Sequence, residues 1–203
     1  MPVLTIIAGP NGAGKSTHSK DLLLHIGIEA FDFDKEFYSI WAQFGFDPMI
    51  EQGAFDKAEK LYFERKHEAL QNNKDFAFET NYHTRQVLSI LDDFRARGYY
   101  LELIFICLDS SEIAIERVKD RVAKGGHSVD EATIRERFSK GLQLLDESFH
   151  SFDTISIYLS KYKKMEGLSI LEPPTKKVIS VSMIPSFLTS HLPRLMEFIA
   201  KHR

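Results

Sequence analysis

The run Gly9-Pro10-Asn11-Gly12-Ala13-Gly14-Lys15-Ser16-Thr17 has the residue types and the spacing to hold a chain of phosphates. Backbone N–H groups of such a turn converge on an anion only where side chains leave room, and Gly9, Gly12 and Gly14 leave it. Lys15 is placed to neutralise the outer phosphates, and the Ser16 hydroxyl to reach a magnesium ion. A bare strand-to-helix turn is the plain alternative. It needs one glycine and has no use for Lys-Ser-Thr.

Elements on either side must aim this loop. The apolar run before it, Leu4 to Ala8, reads as a strand, and Ser16 to His25 as a helix whose positive end faces the anion. Beyond it, short β-rich runs alternate with longer amphipathic stretches, as a parallel sheet with helical crossovers requires. Further strands are predicted near Ala30 to Asp32, Phe76 to Glu79, Tyr100 to Leu108 and Thr154 to Leu159. Helices are predicted around Phe37, Trp41 and Phe44, over Phe55 to Gln71, around Val87 to Phe94, along Ser111 to Phe149, and over Ser186 to Lys201. The expected fold class is α/β: a P-loop NTPase-type doubly wound sheet, mainly parallel, of about five strands with helices on both faces. One domain is expected over residues 1–203, with a helical lid around 111–150. Pro173-Pro174 and the lysines Lys161, Lys163 and Lys164 punctuate the last quarter.

Ligands of such sheets sit at the carboxyl ends of the strands. There the sequence places Asp32 and Asp34, then Glu79 and Thr80. Arg117 and Arg121 follow on one helical face, a Gly125-Gly126-His127 break comes next, and then Arg135 and Arg137. An acid to orient or deprotonate an acceptor hydroxyl, with arginines to neutralise the group in transit, is what phosphoryl transfer needs. Each part also has an ordinary reading. Asp32 or Asp34 can cap the helix carrying Phe37, and Arg117 and Arg121 can pair with Glu112, Glu116 or Asp120 on a solvated face. His127 can merely tie a loop, and the aromatic cluster from Phe31 to Phe46 can be core. Asp109, at the end of another strand, offers a metal-directed carboxylate of the kind that nucleotide switches use; Asp109-Ser110-Ser111-Glu112 also reads as a helix cap.

Composition narrows the classes. The 203 residues are 43% hydrophobic with a formal net charge of −3, which argues against general disorder and gives no electrostatic pull toward nucleic acid or anionic membrane. No apolar run approaches a membrane span, and the start lacks the basic region of a signal peptide, so a cytoplasmic protein is expected. The single cysteine, Cys107, reads as a buried structural thiol.

The ordered series of motifs resembles the zeta-toxin family of P-loop kinases. It runs from Ile6 to Thr17, through Asp34 and Phe76-Ala-Phe-Glu-Thr80, then Gly98-Tyr99, Arg117-Val-x-x-Arg121-Val-x-x-Gly-Gly-His127, and Ile134-x-x-Arg137-Phe138. The resemblance spans about the first three quarters of the chain. It implies ATP-dependent phosphorylation, with Mg2+, of a sugar hydroxyl on UDP-N-acetylglucosamine or a related nucleotide sugar. By the same resemblance Lys15 and Ser16 contact ATP and metal, and Asp34 is the general base. Glu79, Thr80 and Arg85, with Asp32 beside them, face the acceptor, while Arg121 and Arg137 clamp the moving phosphate. Asp32 stands where the family often has Asn, and Tyr158-Leu159-Ser160-Lys161 replaces a Tyr-Asp-Asn-Ser stretch. A small-molecule acceptor is the expected partner; an antitoxin leaves no signature in this sequence. Two alternatives stand beside this reading: a kinase for a nucleoside, antibiotic or polynucleotide end, and a nucleotide-dependent switch or ATPase module.

Overall fold

The computed structural model describes residues 1–161 and 164–203; Lys163 of the lysine cluster lies outside the described residues. Among the described residues, six strands form one sheet in the order β2-β1-β3-β4-β5-β6. They are β1 (Val3–Ala8), β2 (Phe76–Thr80), β3 (Tyr100–Cys107), β4 (Thr154–Lys161), β5 (Lys164–Glu172) and β6 (Lys177–Val181). The first four pair in parallel, and β5 and β6 add to the β4 edge in antiparallel fashion. The connecting helices are α1 (Lys15–Leu22), α2 (Phe33–Ala42), α3 (Glu51–Asn72), α4 (Gln86–Arg95), α5 (Ser111–Ala123) and α6 (Glu131–Ser148), with α7 (Ser186–His191) and α8 (Pro193–His202) closing the chain.

β1 is flanked on both sides, so five of its six residues are buried and it reads as a continuous apolar run. The chain leaves β1 to build β2 on one side, then returns to build β3 on the other. The order of the sheet therefore reverses at the carboxyl end of β1, which is where α/β sheets open a ligand crevice. Ala8, the last residue of β1, is level with Thr80 of β2 and Phe105 of β3. The loop that begins at Gly9 thus emerges between two strand tips.

The core beneath is aromatic and aliphatic. Phe94 of α4 stacks on Phe76 with centroids 5.7 Å apart and meets Tyr99 edge-on at 4.8 Å. Phe105, Ile106, Leu101 and Leu103 of β3 are fully buried. A second small core joins α2 to α3 through Phe37, Ile40, Ala54 and Ala58. Most of the aromatic run from Phe31 to Phe46 is therefore packing, although Phe44 and Phe46 are exposed.

Several expectations are corrected. The strand predicted at Ala30 to Asp32 is one bridge, Phe31 to Phe78, because α2 starts at once behind its Asp32 cap. The sheet has six strands, since Pro173-Pro174 form a short 3-10 turn that joins two strands of an antiparallel extension. The Ser111 to Phe149 stretch divides into α5 and α6 at the glycine pair, as the Gly125-Gly126-His127 break implies, and Gly125 takes a φ of 89° there. The last helix breaks at Leu192, because Pro193 has no N–H to continue α7 and begins α8 instead. The helix after the loop stops at Leu22, three residues short of His25. Among the described residues no helix is long and apolar enough to cross a membrane.

Cys107 ends β3 with 1% of its surface exposed, and burial raises its thiol pKa far above the ordinary 9.0. The folded chain therefore keeps the neutral thiol, and the stability this contributes is complete below about pH 9 and lost above it, where only the unfolded chain ionises. At about pH 8 a thiol-alkylating reagent should label Cys107 only as fast as the chain unfolds, and urea should raise the rate in step with the unfolded fraction.

Candidate active site

The loop after β1 is built at a spacing that admits no side chain at its first turn. Gly9 has a φ of 147°, and a Cβ there would lie 2.3 Å from the carbonyl oxygen of Ile106 in β3. At Gly12 a Cβ would lie 3.0 Å from the carbonyl oxygen of Ala114 and 3.1 Å from Cβ of Arg117, both in α5. Lys15 draws the loop around itself: its Nζ donates to the carbonyls of Gly9 at 2.7 Å and Pro10 at 3.2 Å, and to Oδ1 of Asn81 at 3.0 Å. Burial lowers the Lys15 pKa to about 8 although Glu79, Asp34 and Asp32 pull it upward. Arg117 holds the loop from the far side, donating to the carbonyl of Gly12 at 3.3 Å and to Oγ and the carbonyl of Ser160 at 2.7 and 3.0 Å. Its guanidinium is a strut between the loop and the tip of β4, and not the solvated surface charge that its helical neighbours suggest.

Ser16, in the first turn of α1, meets two carboxylates. Its Oγ is 2.7 Å from Oδ2 of Asp32 and 2.7 Å from Oε2 of Glu79. A hydroxyl carries one hydrogen, so it satisfies one of these oxygens at a time. Burial, and then the charge of Asp32, raise the Glu79 pKa above its ordinary value. Among the described residues no three His, Cys, Asp and Glu side chains gather as a metal cage. A hydroxyl with two carboxylates is nevertheless a donor set of the kind that octahedral magnesium shares with phosphate oxygens and water. Asp109 is not among the partners of Ser16, and Ser110 rather than Asp109 caps α5, accepting the Ile113 N–H at 3.3 Å.

The capping question at α2 is settled by geometry. Asp32 is the cap, its Oδ1 accepting the Lys35 N–H at 3.1 Å, while Asp34 sits in the first turn. The charge of Asp34 acts on Lys15, Tyr38, His83, Arg121 and His127, so this carboxylate belongs to the group of side chains around the loop. Arg121 folds onto the turn between α5 and α6, donating to Nε2 and the carbonyl of His127 at 3.0 and 3.1 Å. Arg137 reaches the loop itself, its Nη1 lying 3.4 Å from Oδ1 of Asn11. Thr80 is tied to the loop through its carbonyl, which accepts the Gly9 N–H at 3.3 Å, and its Oγ1 accepts the Tyr82 N–H. Two other arginines are engaged elsewhere: Arg85 pairs with Glu147, and Arg135 with Glu112 and Ser111.

The family model described as "Zeta toxin" matches residues 56–170, more than half of the chain. The chain belongs to the zeta toxin family. No sequence among the curated proteins matches it. Among solved structures, the PezAT chromosomal toxin-antitoxin system of Streptococcus pneumoniae is similar with a TM-score of 0.61 at 15% identity, over 98% of this chain and 88% of that one. The AvrRxo1-ORF1:-ORF2 complex with ATP gives 0.64 at 12% identity over 95% of this chain, which spans 63% of that longer one. A kinase assignment from Chloroflexus aurantiacus gives 0.55 at 19% identity, over 67% of this chain and 76% of that one. At these identities the likeness is one of fold.

The zeta toxin match begins after both the phosphate loop and Asp34, so it reaches further toward β5 and starts later than the motif series suggests. The fold joins the two parts: Ser16, outside the matched segment, hydrogen-bonds Glu79 inside it. Sequence reasoning did not assign Asn81, His83 or Ser160 to this zeta toxin site. Asn81 directly follows Glu79-Thr80, so it lies where a strand tip delivers residues to the crevice, but only the fold shows that Lys15 is its partner. Ser160 stands in the stretch where the family motif is replaced, and Arg117 holds it.

Gly9→Ala should destabilise the protein by roughly 2–4 kcal/mol in urea unfolding, because the methyl group meets the Ile106 backbone in a left-handed conformation. Gly27→Ala, whose Cβ would meet nothing within 4 Å although its φ is 73°, is the control that isolates the backbone cost from the clash.

Proposed function

We propose that this chain is an ATP-dependent phosphotransferase acting on a hydroxyl of a small-molecule acceptor, with UDP-N-acetylglucosamine or a related nucleotide sugar as the first candidate. The observation that carries the reading is the meeting of Ser16 with Glu79 and Asp32, beside a lysine-centred phosphate loop and within the electrostatic reach of a separate carboxylate, Asp34. A binding module needs the loop alone. A transferase also needs an acid across from it and cations that do not belong to the loop.

In this reading the loop amides and the N-terminus of α1 grip the triphosphate, and Lys15 exchanges its contacts with the Gly9 and Pro10 carbonyls for phosphate oxygens. Ser16, Glu79 and Asp32 would hold Mg2+, which when bound supplies neutralising charge to the phosphate oxygens. Asp34 accepts the proton of the acceptor hydroxyl. Arg121 and Arg137, from either side of the α5–α6 turn, stabilise charge on the group in transit, and the region around residues 111–150 serves as the lid that excludes water. Thr80 and Arg85 stand on the acceptor side, Arg85 after release from its exposed pair with Glu147. With Asp32 turned toward Ser16 and the α2 cap, its charge is spent on the cation side, which fits a phosphate-bearing acceptor better than an outward carboxylate would. The family, and an ATP complex among its fold neighbours, support the nucleotide; the toxin-antitoxin system among them makes an antitoxin the protein partner to test.

Asp34→Asn should lower transfer to the acceptor by about 10²–10⁴-fold while ATP affinity changes by less than about threefold, as read by labelled-ATP assay and calorimetry. Lys15→Ala should lose both together. Unchanged turnover in Asp34→Asn removes it from the base role.

Glu79→Gln and Asp32→Asn should each weaken Mn2+ binding to the nucleotide complex by roughly ten- to hundredfold, followed by electron paramagnetic resonance, whereas Asp109→Asn should not. Equal effects of all three would return the metal to the Asp109 side.

A further inference from the structure

The turn between α5 and α6 is latched to α2 by two aromatic rings. His127 lies face to face with Tyr38, centroids 4.2 Å apart and planes 12° from parallel. Arg121 completes the contact from below, one Nη donating to both Nε2 and the backbone carbonyl of His127. A guanidinium has donors only, so Nε2 must accept; the ring proton then sits on Nδ1 and the imidazole is neutral. Gly126 makes the fold-back feasible, since a Cβ there would lie 2.5 Å from Cγ of Arg121. Tyr38 stands four residues after Asp34 in α2, so the two share a helix face. Nε of Arg121 is buried with no hydrogen-bond partner among the described residues, so the His127 contacts through one Nη are what fix this guanidinium.

We infer that Tyr38 is a positioning residue: by stacking on neutral His127 it locks the α5–α6 turn against the helix that carries Asp34, and through His127 it sets where the Arg121 guanidinium points. This rests on Arg121 serving the transferring phosphate. The latch has a direction in pH. Burial most of all, then the charges of Arg121 and Arg137, oppose protonation of the imidazole, while Asp34 and Asp32 favour it; the net effect lowers its pKa below 6.5. Protonation removes the acceptor lone pair at Nε2 and sets a second cation against Arg121, so the latch opens as pH falls through the imidazole pKa.

The test follows the His127 imidazole by NMR titration in the full chain, alongside turnover and ATP affinity, in wild type, Tyr38→Phe, Tyr38→Leu and Tyr38→Ala. In wild type the ring should show the Nδ1–H tautomer and titrate below 6.5. Tyr38→Leu and Tyr38→Ala should raise that pKa by about half a unit or more and speed amide exchange in residues 124–128. They should lower kcat roughly tenfold with little change in ATP affinity, and the acidic limb of the rate profile should move up with the imidazole. Tyr38→Phe, which keeps the ring, should restore all of these. Tyr38→Leu is the variant to read where Tyr38→Ala fails to fold. An imidazole titration indifferent to Tyr38→Leu, or a Tyr38→Phe that behaves like it, overturns the latch. A shifted imidazole with no effect on turnover overturns the positioning role. An inactive wild-type chain with the expected titration series instead places the fault in the kinase reading.

Discussion

The rest of the site depends on one close approach, the passage of the backbone at Gly9 against the carbonyl of Ile106. Parallel pairing brings β1 and β3 to a common end, and at that end the first residue of the loop must turn with no room for a side chain. From there the loop closes around Lys15, which takes two loop carbonyls, while Arg117 takes a third from outside. The Gly9 and Ala13 amides are taken by the carbonyls of Thr80 and Pro10, while those of Gly12 and Gly14 keep no protein acceptor among the described residues. The geometry of the cradle is thus a consequence of where its carbonyls and amides are spent.

Around that cradle, opposite charges are crowded in a partly buried space. Lys15 and Arg121 face the carboxylates Asp32 and Asp34, Lys15 also faces Glu79, and burial works against the charged forms of Lys15 and Glu79 alike. Such an arrangement holds together on local pairs, and the proposed reaction would exchange some of them for a phosphate chain and a divalent cation. In the proposed reaction Lys15 gives up carbonyls and Ser16 gives up a carboxylate, while Arg121 keeps its imidazole. The same side chains that tie the free protein together are therefore those that the proposed reaction needs.

How much of this was legible from the residues varied with the range of the interaction. The loop, β1 and its buried neighbour β3 were readable because sequence-local patterns specify them: glycines at fixed offsets and uninterrupted apolar runs. The Ala30 to Asp32 strand was not, because a helix cap two residues wide outcompetes a strand with one bridging partner. The β5–β6 extension was hidden because an edge strand such as β6 carries exposed Lys177, Ile179 and Ser180 and lacks the apolar run that marks a central strand. Among the arginines, spacing alone could not separate the strut Arg117 from Arg135, which pairs with Glu112 on the surface; they occupy different helices with similar local charge.

The sequence by itself determined a phosphate loop on the first strand, an α/β sheet, and the family. These follow from contacts made within a few residues along the chain, where residue type and spacing are the geometry. Only the tertiary structure decided which carboxylate caps α2, that Glu79 and Asp32 share the Ser16 hydroxyl, that Asn81 receives Lys15, and that Tyr38 meets His127. Those partners lie 16 to 89 residues apart or depend on which way a helix faces, and it is the order of strands in the sheet, which no local pattern encodes, that brings them within hydrogen-bonding or stacking distance.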